Sequence, residues 1–78
     1  MTVVADVRRF SVHARHVGAH HARLLVERTF EAAAVAYVED LHVLGDEPDI
    51  SVIVREVDTG HEHCFRIDLE TGDAAPCG

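Results

Sequence analysis

The chain has no lysine. All seven cationic side chains are arginine, at Arg8, Arg9, Arg15, Arg23, Arg28, Arg55 and Arg66, and fourteen carboxylates outweigh them to a net charge of −7. That balance argues against non-specific binding to nucleic acid, whose affinity comes from neutralising phosphates. No stretch approaches the roughly 18 apolar residues of a membrane-spanning helix, so neither a nucleic-acid nor a membrane partner is expected. The segment Met1 to Asp6 lacks a basic region followed by an apolar one, so no secretory signal is read there. The two cysteines, Cys64 and Cys77, are therefore expected as reduced thiols of a soluble cytoplasmic protein. A Gly-rich phosphate loop, a serine elbow and an H-E-x-x-H pair are all missing. A non-enzymatic protein with no catalytic residue and no cofactor is expected.

What remains is one small domain over residues 1–78, with 1–6 frayed and 74–78 either frayed or a short edge strand. A chain of this size buries only roughly 60–65% of its unfolded surface. Disulfides, a metal or oligomerisation commonly make up the deficit. Charge is unevenly spread. Residues 1–28 hold five arginines against Asp6 and Glu27, whereas residues 29–78 hold twelve carboxylates against Arg55 and Arg66. Base composition of the genome accounts for arginine without lysine, and so does selection for bidentate pairing with carboxylates or other anions.

Hydrophobic periodicity divides the chain. Val7 to His16 alternates, with Phe10, Val12 and Ala14 on one side and Arg9, Ser11, His13 and Arg15 on the other, as a half-buried strand does. After a turn at Val17 to His21, Arg23 to Arg28 reads as a second strand with Leu24 and Val26 inward. The rival is a single helix from His20 to Leu41. Thr29 favours the strand, because a threonine before Phe30-Glu31 is a good N-cap and Glu31 suits a first turn. The helix then spans 29–41, with Phe30, Ala33, Ala34, Tyr37, Val38 and Leu41 on one stripe. Gly45 and Pro48 mark its stop. Ile50 to Val57 is dense in β-branched residues and reads as a strand. Glu62 to Leu69 alternates, with Phe65, Ile67 and Leu69 inward. Asp58-Thr59-Gly60 and Glu70-Thr71-Gly72 repeat the same turn chemistry.

The expected fold is α+β: a four-stranded, antiparallel-rich sheet in the order β-β-α-β-β, with one helix on one face. The pattern from Phe10 onward, above all Thr29-Phe30-Glu31-Ala32-Ala33 after a strand and Val57-Asp58-Thr59-Gly60 between strands, resembles short single-domain alphaproteobacterial proteins of unknown function. The last hairpin is similar to the strand-turn-strand of PepSY domains, which usually act outside the cytoplasm. Neither resemblance implies a catalytic residue.

Seven histidines suggest metal binding. His61-Glu62-His63-Cys64 is a poor chelator on a strand, since successive side chains face opposite ways. The topology gathers His16, His20, His21 and His42 at one end, where four imidazoles form a candidate Zn²⁺ or Ni²⁺ site. His61 and His63 fall at the other end. A Cys64–His13 dyad would require the first and fourth strands to pair. A two-residue turn at Thr71-Gly72 sets Cys77 opposite Arg66 and only diagonal to Cys64, about 7–8 Å away and beyond bridging.

The alternation leaves His13, Arg15, Arg23, Leu25, Glu27, Ser51, Ile53, Arg55, Cys64, Arg66 and Asp68 on the uncovered sheet face. Leu25 and Ile53 sit centrally with Arg15, Arg23, Arg55 and Arg66 around them, an arrangement common at interfaces. The plainer reading is cross-strand pairing of these arginines with Glu27, Glu56 and Asp68. The expected function is a protein-interaction or structural module that works through the open face as a homo-oligomer, most simply a homodimer. The alternative is a metal- or small-ligand-responsive domain using the histidine end.

Overall fold

The computed structural model describes residues 7–17, 21–41 and 48–77, the side chains of Asp40 and Leu41 excepted. The chain forms β1 Arg8–Ala14, β2 Arg23–Glu27, α1 Phe30–Leu41, β3 Asp49–Glu56, β4 Glu62–Asp68 and β5 Ala74–Pro76. All pairings are antiparallel, in the order β2-β1-β3-β4-β5, and α1 lies across one face and touches every strand. The fold is α+β as expected, but the sheet has five strands, not four. Of the two fates open to the tail, the edge strand is the one adopted.

Residues 23–27 are strand, so a helix starting at His20 is excluded. Thr29 ends the strand and begins the helix: its Oγ1 accepts the Ala32 N–H at 2.9 Å and its carbonyl accepts the Ala33 N–H at 3.1 Å. These two contacts satisfy donors that a helix start otherwise leaves orphaned. The expected stop at Gly45 lies outside the described residues. The core joins Phe10, Val12 and Ala14 of β1, Ile50, Val52 and Val54 of β3, and Ile67 of β4 to Ala33, Ala34 and Tyr37 of the helix. The small alanines let the helix approach the sheet. Phe30 stacks tilted on Phe10 at 4.9 Å between ring centres. The expected contact of Leu41 with this core lies outside the described side chains.

The hydrogen bonds from Arg15 N–H to Ser51 O and from Val57 N–H to Arg9 O show that the odd residues of β1 bond β3. Its even residues therefore face β2. At Ala14 the partner strand has ended, since the β1–β2 pairing stops at Val12↔Arg23. The Tyr37 hydroxyl accepts the Ala14 N–H there, at 3.1 Å and buried.

The face assigned to β2 is the main correction. Leu24 and Val26 were expected inward, yet they are 65% and 57% exposed, while Leu25 packs against the core. Phe10 pairs with Leu25 and Arg8 with Glu27, so Arg23, Leu25 and Glu27 take the helix side. Three consecutive apolar residues make both faces of β2 plausible, and a one-residue change of register exchanges every side chain between faces. Counting two apolar residues against one favours the wrong face.

The two C-terminal turns share one design. Gly60 N–H bonds Glu56 O and Gly72 N–H bonds Asp68 O, each at 2.8 Å, and both glycines have positive φ, 79° and 82°. The hydroxyl of Thr59 accepts the His61 N–H, and that of Thr71 accepts the Asp73 N–H, each at 3.2 Å. Asp68 Oδ1 also accepts the N–H groups of Glu70 and Thr71. Closure falls at Asp68 and Asp73, outside the Thr71-Gly72 pair, so the loop is longer than the two residues expected. That shift brings Cys77 opposite Cys64.

Candidate functional site

The uncovered face carries no second layer among the described residues. Its rows follow from the pairings: Leu24, Ser11, Arg55 and Glu62 form one, and His13, Ile53 and Cys64 the next, with Cys77 beyond. Val26 flanks Arg9, whose carbonyl binds the Val57 N–H. Ser51, Arg66 and Ala75 form the opposite end. Ile53 is half-buried in the middle of the face. The Arg55 guanidinium leans toward the first turn, 3.8 Å from where a Cβ on Gly60 would stand.

Of the expected interface residues, Ile53, Arg55 and Arg66 do lie on this face. Arg15 is exposed one position beyond β1, next to Ser51. Arg23 and Leu25 do not belong to it; the β2 register turns both to the helix side. Leu24 and Val26 replace them, so the apolar weight moves from the centre of the face to its β2 margin. Val57 and Arg9 were also missed. The signal for the register was a charge match: setting Arg8 opposite Glu27 turns Leu25 inward.

The printed ion pairs are not those anticipated for the open-face arginines. Arg8 Nε lies 3.6 Å from the buried Glu56 on the helix side, and Arg9 binds Asp58 at the rim. Thr59 also donates to Glu56, at 3.0 Å. Arg55 stands in register with Glu62 across the sheet.

Residues 8–78 match the family of unknown function DUF5961. The chain belongs to that family. No curated protein and no solved structure matches it.

The histidines of this DUF5961 chain do not converge where they are described. His16 and His21 are exposed in the β1–β2 connection, while His20 and His42 of the proposed Zn²⁺ or Ni²⁺ site lie outside the described residues. Among the described residues no group of three or more His, Cys, Asp or Glu is placed to hold a metal ion. His63 faces the helix side, with its ring edge-on to Phe30 at 4.3 Å. The imidazole thus extends the aromatic packing that begins at Phe10.

The expectation of free thiols is overturned. Cys64 and Cys77 form a disulfide with their Cα atoms 5.3 Å apart, as the longer β4–β5 loop allows. It also removes the His13–Cys64 dyad. β3 separates β1 from β4, with Ile53 between the two residues, and the thiol is committed to the bridge. No described helix is long and apolar enough to cross a membrane.

Proposed function

We propose that this DUF5961 protein is a non-enzymatic protein-interaction module that acts through its open sheet face as a homodimer. The observation that carries this reading is the exposure of Leu24 and Val26 on the same uncovered face as Ile53. An apolar margin with arginines nearby is the composition of a protein-binding surface. A small domain also gains from a partner the burial that its own core cannot supply. Sedimentation at high micromolar concentration tests it. Twice the chain mass, unchanged by chelator, is expected; a monomer under those conditions overturns the proposal.

Location is part of the same proposal. The sequence reading puts the protein in the cytoplasm, where thiol pools keep most cysteines reduced. The Cys64–Cys77 bond favours an oxidising compartment instead, in keeping with the PepSY-like last hairpin. Alkylation of protein trapped directly from its native cells decides: two modified cysteines support the cytoplasm, and none supports the oxidising compartment.

A further inference from the structure

The outer edge of β2 is complementary to itself. Among the described residues no strand pairs with its far side. Even residues of β1 bond β2, and the register matches them to Arg23, Leu25 and Glu27. The N–H and C=O groups of Leu24 and Val26 therefore point outward along the edge. Their side chains are the exposed apolar pair. The strand reads Arg23-Leu24-Leu25-Val26-Glu27, basic at one end and acidic at the other. It carries none of the usual guards of an open edge, such as proline, lysine or extreme shortness.

We infer that a second copy of this chain docks on that edge, β2 against β2 and antiparallel, so that the two sheets become one. The inference rests on the homodimer reading and specifies its contact. A two-fold axis at Leu25 sets Leu24 opposite Val26 of the other copy, and the outward backbone groups of both then bond reciprocally. The same register places Arg23 of each copy opposite Glu27 of the other. Charge and hydrogen-bond parity thus agree on one alignment, which uses the whole strand. Leu24 and Val26 of both copies cluster on the open face, and the two Leu25 side chains meet on the helix side. The arginine-bearing open faces join into one broader surface.

Charge reversal tests the alignment. Arg23→Glu alone, or Glu27→Arg alone, replaces two opposite-charge cross-strand pairs with two like-charge pairs and should weaken dimerisation roughly tenfold or more. Mixing the two variants restores opposite charges and should restore a dimer of one copy of each. Unweakened single variants, or a mixture that stays monomeric with both proteins folded, overturn the inference. Glu27→Arg also faces Arg8 within its own chain, so a second measurement uses the unaltered protein. Amide exchange at Leu24 and Val26 should be slow when concentrated and fast on dilution; equal exchange at both concentrations overturns the pairing. Ile53→Asp separates this inference from the broader reading. An edge-joined dimer keeps its mass in that variant. A dimer that dissociates with Ile53→Asp but resists charge reversal joins face to face, and the edge contact is then wrong while the homodimer stands.

Discussion

At one edge of the sheet, β5 is three residues long, contains Pro76 and is joined to β4 by the Cys64–Cys77 disulfide. At the other edge, β2 is five residues long and shows Leu24 and Val26 to solvent. The β5 edge is closed by covalent chemistry and by a residue with no N–H to offer. The β2 edge is held by packing alone: Leu25 on the core, the pairing with β1, and the helix that follows at once. Edges treated so unequally have different tasks. The closed one completes the fold, and the open one is where the protein can add a strand.

The largest effect that sharpens this contrast is expected at Phe10, which is fully buried and pairs with Leu25. Phe10→Ala should cost about 3–5 kcal/mol, because truncating a buried aromatic leaves a cavity. Chemical denaturation measures it, and protection at β2 should fall before protection at β5. Cutting the other edge ranks next. The disulfide closes a loop of sequence separation 13, for which chain entropy predicts about 3 kcal/mol. Reduction should lower the melting temperature and expose the Cys77 amide, which bonds Cys64 O at 3.0 Å, to fast exchange. A reduced protein with unchanged stability would show that β5 also holds by packing.

A smaller effect is expected where β2 stops short of β1. Tyr37→Phe removes the only printed acceptor for the buried Ala14 N–H. Leaving that donor unsatisfied should cost about 1–3 kcal/mol, read from urea denaturation of the variant. The smallest stability change is expected at the open edge itself. Leu24→Thr should alter the stability of the monomer by no more than about 0.5 kcal/mol, as exposed substitutions do, while weakening self-association in sedimentation. A large loss of monomer stability would mean that Leu24 is packed and the two edges are more alike than they look.

Much of the fold was legible in local chemistry. Thr29 before Phe30-Glu31 announced the helix start, and the Thr-Gly pairs announced both C-terminal turns. Strict alternation in Arg8–Ala14 placed Phe10 and Val12 correctly, because polar residues stood between them. The Leu24-Leu25-Val26 run had no such contrast, so its face was misread and Leu25 was taken for an interface residue. Ile53 was placed correctly because Val52 and Val54 flank it in a strand whose inward face was clear. The disulfide was missed through one count: the turn closes outside Thr71-Gly72, and the error in loop length moved Cys77 off its partner.

The sequence by itself determined the order of strands and helix along the chain, the composition of the helix stripe and the residue types of each turn. These are local properties, decided by periodicity of 2 or 3.6 and by the few side chains that cap or turn a backbone. Tertiary structure decided which face of β2 is inward, which strands lie at the edges and that Cys64 meets Cys77. Each depends on register between segments distant in the chain. Register is chosen by the joint packing of Leu25, Phe10 and the helix, and by a hydrogen-bonded loop whose length no single residue states.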